Sequence, residues 1–148
     1  MPVNPELRGH VFAPLEPYLV GREKVREFAN AVFATNPIHL DVEAARAAGY
    51  ADVVAPPTFA VVVQERTLAQ LLAVPDGGID FSRVVHGDQR FRTTRPVVAG
   101  DELFAHLEVT AIKTLGAHSM ITAETRVEDA SGEHVVTAIA TLVVRGDD

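Results

Sequence analysis

The chain has 148 residues, of which 47% are hydrophobic, and it carries a formal net charge of −7 at pH 7. This length predicts one domain with a core that needs no disulfide bonds. The absence of cysteine excludes disulfides, thiolate nucleophiles and cysteine-ligated metal sites, and the acidic balance argues against a nucleic-acid-binding protein.

The N-terminal segment is predicted to be an irregular arm. Residues 1–14 contain Pro2, Pro5 and Pro14, and they have no apolar region of the kind found in signal peptides. No run in the chain reaches the length of a membrane span. We therefore expect a cytoplasmic protein that does not enter a membrane.

A short strand at residues 17–20 and an amphipathic helix are predicted next. In the run GREKVREFANAVF the apolar residues recur with helical spacing and the charged residues occupy the opposite face. The apolar face comprises Val25, Phe28, Ala29 and Val32. The helix is expected to end at Asn36-Pro37, because a residue before proline is disfavoured in the α region.

Two more helices are predicted before residue 75. The sequence DVEAARAAG predicts a short helix capped by Asp41 and ended by Gly49. The run TFAVVVQERTLAQLLAV predicts a longer one, with Pro57 at its first position, where the missing N–H costs nothing. Its first half is apolar on all sides, which is typical of a helix surrounded by protein.

The second half of the chain predicts four strands, at residues 83–95, 103–112, 119–127 and 134–144. Alternation places one face of two of these strands toward a core, namely Leu103, Ala105, Leu107, Val109 and Ala111, then Ile121, Ala123, Thr125 and Val127. The last strand is apolar on both faces, as a central strand is. These elements predict an α+β hotdog fold, in which an antiparallel sheet wraps around one long helix.

A sheet of this size leaves an edge, and residues 83–95 are the predicted edge strand. Unpaired backbone groups along an edge favour pairing with a second chain. We therefore expect a dimer, either of two identical chains or of this chain with a second hotdog subunit.

Two segments resemble the MaoC-like family of (R)-specific enoyl hydratases and 3-hydroxyacyl-thioester dehydratases. NPIHLDVEAARAAGYADVVAPPTF resembles the family's hydratase segment, and HGDQRFRTTRPVVAGDEL resembles its later strand and turn. The family pattern is Asp-x-Asn-Pro-aliphatic-His. Asn36, Pro37, Ile38 and His39 match it, whereas the aspartate position is occupied by Ala34. The family's His-Gly pair before the long helix falls on Pro56-Pro57.

The resemblance implies that two catalytic groups are missing. In the family, Asp and His share a water, and the glycine N–H supports the oxygen that becomes negative. General acid–base help of this kind is worth roughly 10²–10⁴-fold in rate. Losing one oxyanion donor costs on the order of 10²–10³-fold. Ala34 has no carboxylate, and Pro57 has no N–H.

The resemblance therefore implies a subunit of a dehydratase or hydratase that acts on acyl-CoA or acyl-carrier-protein thioesters. Such a subunit would bind the acyl chain, need no cofactor or metal, and rely on a second hotdog subunit that carries the Asp/His pair. His39 and Asn36 are the candidate catalytic residues. The candidate substrate-binding residues are Thr35, Pro56, Pro57, Thr58, Phe59 and Val62.

Two alternatives remain open at this stage. The chain is also consistent with an autonomous hydratase, with His39 as base, Thr35 or Asn36 holding the water, and Thr58 N–H as oxyanion donor. It is equally consistent with a non-enzymatic protein that binds acyl thioesters. In either alternative Asn36 has a simpler explanation as a turn residue before proline.

Other polar residues have simpler structural explanations. His86 is expected to lie on the edge strand at the dimer seam rather than to bind a ligand. Arg90 and Arg92 share a strand face, with Arg83 and Arg95 nearby, and we expect a solvated surface rather than a site for a CoA or carrier-protein phosphate. The histidines lack metal-ligand spacing, so no metal site is predicted.

Overall fold

The computed structural model describes residues 2–147, which form an antiparallel sheet with one long helix packed on its inner face. The helices are α1 (Arg22–Ala31), α2 (Val42–Ala47) and α3 (Ala60–Leu72). The strands are β1 (Tyr18–Leu19), β2 (Val84–Thr93), β3 (Glu102–Leu115), β4 (His118–Glu128) and β5 (His134–Val144). Three 3₁₀ turns occupy Pro5–Leu7, Pro37–His39 and Phe81–Arg83. The strand order β1-β3-β4-β5-β2 confirms the predicted hotdog arrangement.

The burial pattern of the strands follows the predicted alternation except at one point. In β4 the inward residues from Ile121 to Val127 are buried, and most of β5 is buried on both faces. In β3 the prediction for Ala111 is wrong, because Ile112 takes the buried position instead. The cause is a register shift between Val109 and Ala111, since an extra residue at a bulge moves all later side chains to the opposite face.

The two sides of the sheet are protected differently. As predicted, β2 is an edge strand, although it spans a shorter range than residues 83–95. Along the opposite side the N-terminal arm runs beside β3, where N–H groups of Gly9, Phe12 and Leu15 donate to β3 carbonyls at 2.7, 2.8 and 3.2 Å. The arm is therefore irregular but attached, and β2 is the uncovered edge within residues 2–147.

Two apolar clusters fill the space between α3 and the sheet. The first, here called the pocket-end core, contains Phe59, Val63, Leu103 and Val136, together with α1 residues. The second, here called the arm-end core, contains Leu71, Leu107, Ile121 and Leu142, and it is covered by Val3 and Leu7 of the arm. None of the helices formed by residues 2–147 has both the length and the apolarity needed to span a membrane.

Three predicted helix details are wrong. The first helix was expected to end at Asn36-Pro37, but α1 ends at Ala31 and the chain direction changes at the left-handed residue Phe33. Val32 was expected on the buried face of the first helix, but it is the residue after α1 and is 44% exposed. Pro57 is not the first residue of the long helix, because α3 begins only at Ala60. Pro56 and Pro57 instead belong to a preceding turn, in which Phe59 N–H donates to Pro56 O at 2.9 Å.

The end of α1 carries an unusual residue. Ala34 N–H donates to Ala29 O at 2.8 Å and Phe33 N–H donates to Asn30 O at 3.3 Å, a hydrogen-bond pair that closes many helices. Glycine usually occupies the left-handed position of this motif. Here it is Phe33, with φ of 58° and a side chain that is 87% exposed.

Phe33→Gly should therefore raise the free energy of unfolding by about 0.5–1 kcal/mol. A left-handed backbone conformation costs a non-glycine residue about 1–2 kcal/mol, and glycine avoids this cost. Part of the gain is offset because glycine makes the unfolded chain more flexible. Urea unfolding would measure the change. Val32→Gly is the matched control, because Val32 has φ of −103° and should lose stability when it becomes glycine. If both substitutions lower the free energy of unfolding, the backbone at Phe33 is not strained.

Candidate active site

A tight turn positions His39. The Asn36 side chain accepts the Ile38 N–H at 3.2 Å, and the His39 N–H donates to Asn36 O at 3.0 Å. Pro37 favours this turn because its ring restricts φ and it needs no hydrogen-bond partner for a backbone N–H. Asn36 is exposed, and its side-chain contact is the turn contact that the sequence indicated. The turn therefore orients His39 immediately after α1.

The His39 ring is held by the segment that leads into α3. Its Nδ1 lies 2.5 Å from Val54 O. Because a carbonyl oxygen only accepts, Nδ1 must carry the proton, which leaves Nε2 unprotonated when the ring is neutral. The Val54 N–H donates back to Ile38 O at 2.9 Å. This two-way link fixes both the position and the tautomer of the imidazole.

His39 faces a cavity of about 480 Å³ beside the N-terminus of α3. The walls are mostly apolar. They are formed by Ile38, His39, Tyr50, Val54, Ala55, Pro56, Pro57, Ala60, Thr93, Arg95, Pro96, Val97 and Val136. The structure thus brings His39 together with Pro56 and Pro57, three of the residues that the sequence singled out.

The other candidates do not line this cavity. Thr35 and Asn36 are exposed on the turn, and Val62 is half-buried against the pocket-end core. Phe59 is fully buried and packs edge-to-face on Phe28, with ring centroids 5.3 Å apart. Thr58 is exposed, and among the hydrogen bonds formed by residues 2–147 none uses its N–H. Thr58 therefore keeps a free donor next to the cavity.

No carboxylate of the described chain forms a hydrogen bond or ion pair with the His39 ring, whose one polar partner is Val54 O. Asp41, the nearest acid in sequence, caps α2 by accepting the Glu43 N–H at 3.0 Å, as predicted. Ala34 leaves the family's acid position without a side chain that can take a proton. The imidazole is thus oriented but has no acidic partner among residues 2–147.

Arg95 is one of the four arginines considered above as phosphate ligands, and it lines the cavity. It donates to Asp101 at 2.8 Å and to Asp129 at 3.3 Å, which joins the end of β2 to two loops. The hydrogen bond to Asp101 raises the pKa of the Arg95 guanidinium. A signal was present in the RPVVAGD segment, where Arg95 and Asp101 stand at the two ends of one turn. Asp101 also accepts the Val98 N–H at 2.9 Å.

Two others of these arginines do not line the cavity. Arg92 pairs with Glu124 at 2.7 Å and Arg90 with Asp88 at 3.3 Å, both on exposed strand surface. His86 is also exposed on β2. Arg83, the fourth arginine, lies in the wall of a separate cavity of about 640 Å³ at the other end of α3, together with Asp80 and Asp147.

Two ion-paired carboxylates, Asp52 and Asp129, should make the free energy of unfolding depend on pH. The ordinary pKa of each carboxyl is 3.8. The hydrogen bond from Arg22 lowers the pKa of Asp52 to about 2, and the hydrogen bond from the Ser131 hydroxyl lowers the pKa of Asp129 to about 2. A lowered folded-state pKa gives stability that is present above the ordinary pKa and lost as pH falls toward 2. We expect the urea midpoint to fall between about pH 4 and pH 2.

The matched variants are Asp52→Asn and Asp129→Asn, which cannot titrate. Each should flatten the pH dependence in this window and leave the slope above pH 5 unchanged. An unchanged profile in both variants would show that other groups carry the acid sensitivity.

Comparison with known proteins places the chain in a family. The model of the FAS1-like dehydratase domain region matches residues 6–138. A UPF0336 protein of Leifsonia xyli is 71% identical over all 148 residues, which cover 99% of that protein. A UPF0336 protein of Streptomyces avermitilis is 48% identical over 98% of this chain and 97% of that protein.

Solved structures agree with the sequence comparison. The HadBC (3R-hydroxyacyl-ACP dehydratase) complex of Mycobacterium tuberculosis contains a chain that is 32% identical, with a TM-score of 0.84 over 93% of this chain and 96% of that one. A MaoC-like dehydratase is 37% identical with a TM-score of 0.87, and the match covers 95% of this chain and 43% of that protein. The chain therefore belongs to the family of FAS1-like dehydratase-domain proteins, among the MaoC-like hotdog dehydratases and hydratases.

Proposed function

We propose that this chain is a subunit of a (R)-3-hydroxyacyl-thioester dehydratase or enoyl hydratase that binds the acyl chain and needs a partner subunit for full catalysis. The observation that carries the proposal is His39, which lines an apolar cavity and has no acidic partner among residues 2–147. A ring held in this way can accept a proton at Nε2, but no carboxylate among residues 2–147 forms a hydrogen bond or ion pair with it.

The cavity supports an acyl ligand. Its volume falls in the range of small-molecule sites, and its walls are mostly apolar with a few polar side chains, as in most such sites. The acyl chain would pack against Val54, Val97 and Val136, with the thioester near His39. The carrier is CoA or an acyl carrier protein, and no cofactor takes part.

The need for a partner subunit follows from the groups that this site lacks. Deprotonating water and stabilising the thioester oxygen require a carboxylate and an N–H donor, which Ala34 and Pro57 do not supply. The HadBC complex, with which the chain shares its fold at 32% identity, is an assembly of hotdog chains. The uncovered β2 edge offers a surface for such pairing, and a homodimer would use the same edge.

Reconstitution tests the proposal. The chain, a hotdog protein from the same genome that carries Asp-x-Asn-Pro-x-His, and an equimolar mixture are assayed with a short enoyl-CoA. The mixture should exceed the sum of the separate rates, and the two proteins should co-elute on gel filtration. Turnover by this chain alone at the rate of a complete hydratase would overturn the proposal.

An autonomous enzyme is the second candidate, because neither His39 Nε2 nor Thr58 N–H has a hydrogen-bond partner within the part of the chain that the structure describes. His39→Ala separates the two candidates. In the autonomous enzyme it should abolish turnover by the chain alone. In the partner-dependent enzyme the His39→Ala mixture should retain most of its activity, since the complete Asp/His pair lies on the partner. Acyl-CoA binding without turnover in any mixture would identify a non-enzymatic binding protein.

A further inference from the structure

One carbonyl, Val54 O, orients the His39 ring, so the position of Val54 decides which chemistry the ring can perform. Val54 is buried, and it directs both of its backbone groups toward the turn, the N–H to Ile38 O at 2.9 Å and the carbonyl to His39 Nδ1 at 2.5 Å. Neither group is therefore left to hold Val54 from the opposite side. That support has to come from its neighbours in the chain.

The support comes from residues 97–99, which pair in antiparallel fashion with residues 53–55. Two backbone hydrogen bonds join the segments, from Ala55 N–H to Val97 O at 2.8 Å and from Ala99 N–H to Val53 O at 3.0 Å. These bonds flank Val54 and place Val98 opposite it. Residues 53–55 thus lie between the His39 turn and residues 97–99, and a displacement of residues 97–99 would move Val54 O.

Residues 97–99 are in turn fixed by the side chain of Asp101. Its carboxylate accepts the Val98 N–H at 2.9 Å and two hydrogen bonds from the Arg95 guanidinium, at 2.8 and 3.3 Å. An arginine that binds a carboxylate through two parallel N–H groups fixes geometry as well as adding energy. Because Arg95 also donates to Asp129 at 3.3 Å, its guanidinium is held by two carboxylates. A continuous chain of hydrogen bonds therefore runs from Arg95 and Asp101 to Val54.

This chain of contacts matters because the two tautomers of a neutral imidazole have opposite chemistry. With the proton on Nδ1, as Val54 O requires, Nε2 accepts a hydrogen bond or a proton. With the proton on Nε2, that nitrogen would donate instead and would not act as a base. A hydrogen bond weakens steeply when its geometry is lost, so a displaced Val54 O would let the His39 ring adopt both tautomers.

We propose that Asp101, held by Arg95, is a positioning residue for His39, because it keeps Val54 O where that carbonyl locks the imidazole in the Nδ1–H tautomer. Asp101 is not one of the cavity-lining residues in the part of the chain that the structure describes, so it acts through other residues. The inference rests on the proposed function in one respect, since it takes a ligand hydroxyl to meet Nε2 in the cavity.

Nitrogen NMR of the full chain with isotope-labelled histidine reads the tautomer directly. The chain contains six histidines, and His39→Ala identifies the His39 signals. At about pH 9, where an ordinary imidazole is neutral, wild-type His39 should show a single Nδ1–H tautomer. In Asp101→Ala the His39 signals should become those of a mixture of both tautomers, while the backbone spectrum remains that of a folded protein.

Calorimetric binding gives the second readout. Because Nε2 is an acceptor, the wild-type chain should prefer a (R)-3-hydroxyacyl-CoA over the saturated acyl-CoA of equal length by about two- to tenfold, the value of one net hydrogen bond. Asp101→Ala should remove this preference. The preference is a ratio of two affinities, so a general change in the cavity affects both ligands alike and does not produce the effect.

Asp80→Ala is the matched control. Asp80 also closes a turn, because it accepts the Ser82 N–H at 3.0 Å, and it lies 3.9 Å from the Arg83 Nε at the other end of α3. Its substitution should leave the His39 tautomer and the ligand preference unchanged. A change of equal size in both variants would overturn the positioning role, since general loosening of the fold would explain it.

The remaining outcomes separate this inference from the proposed function. If folded Asp101→Ala keeps the single Nδ1–H tautomer, the positioning role is wrong and the proposed function stands. If the tautomer changes but the wild type shows no preference for the hydroxyacyl ligand, the positioning role stands and the ligand contact at Nε2 fails. A mixture of tautomers in the wild type would overturn both. Should Asp101→Ala not fold, Asp101→Asn, which lacks the second acceptor oxygen for Arg95, gives the same readouts.

Discussion

The double substitution Ala34→Asp, Pro57→Gly should raise enoyl-CoA hydration by the isolated chain by at least about 10²-fold. The introduced aspartate would supply the carboxylate that His39 lacks, and the introduced glycine would supply a backbone N–H before α3. His39 is already held in the required tautomer by Val54 O, so the substitutions add the missing groups to an oriented ring. Steady-state rates with a short enoyl-CoA measure the gain.

The matched control is Ala34→Asn with Pro57→Gly, because asparagine has nearly the same shape as aspartate and cannot take a proton. It should show only the part of the gain that comes from the added N–H. Adding His39→Ala to the aspartate variant should remove the gain. Equal rates in the aspartate and asparagine variants would mean that the position of Ala34 does not serve the His39 ring.

Gly78→Ala should lower the free energy of unfolding by about 2–4 kcal/mol. Gly78 has φ of +71°, and a Cβ placed there would overlap the carbonyl oxygen of Pro2. The arm would have to move away, which would break the hydrogen bond from Asn4 N–H to Gly77 O and expose Val3 and Leu7. Urea unfolding measures the loss.

Gly132→Ala is the matched control for the backbone alone. Gly132 also has a positive φ, +85°, but nothing lies within 4 Å of the added Cβ. Gly132→Ala should lower the free energy of unfolding by only about 1–2 kcal/mol, the cost of a left-handed backbone for alanine. Equal losses at Gly78 and Gly132 would show that the docked arm contributes little to stability.

The hydrophobic periodicity predicted most of the fold because it is a local property of the chain. The alternation in β4 and the two-sided apolar character of β5 correspond to burial patterns that any antiparallel sheet of these residues would adopt. The bulge in β3 was not predictable in this way. A register shift depends on how β3 pairs with β4. Nothing in the local sequence therefore indicates that Ile112, rather than Ala111, takes the buried position.

The first half of the site was likewise predictable from short-range chemistry. Asn36-Pro37 forms the turn before His39, and Asp41 caps α2. The start of α3 was placed too early, because Pro57 is equally suited to a helix start and to the turn that precedes it. The place of Arg95 in the cavity wall was not predictable, because it depends on where β2 ends relative to α3.

By itself, the sequence determined the α+β elements, the position of the edge strand and the absence of an acid five residues before His39, since each of these follows from residue type and local spacing. Only the tertiary structure decided that Val54 O orients the imidazole, that Arg95 lines the cavity and that Val98 pairs with Val54. These contacts join residues far apart in the chain. Their geometry is set by sheet register and by the packing of α3 on the sheet, which no local pattern specifies.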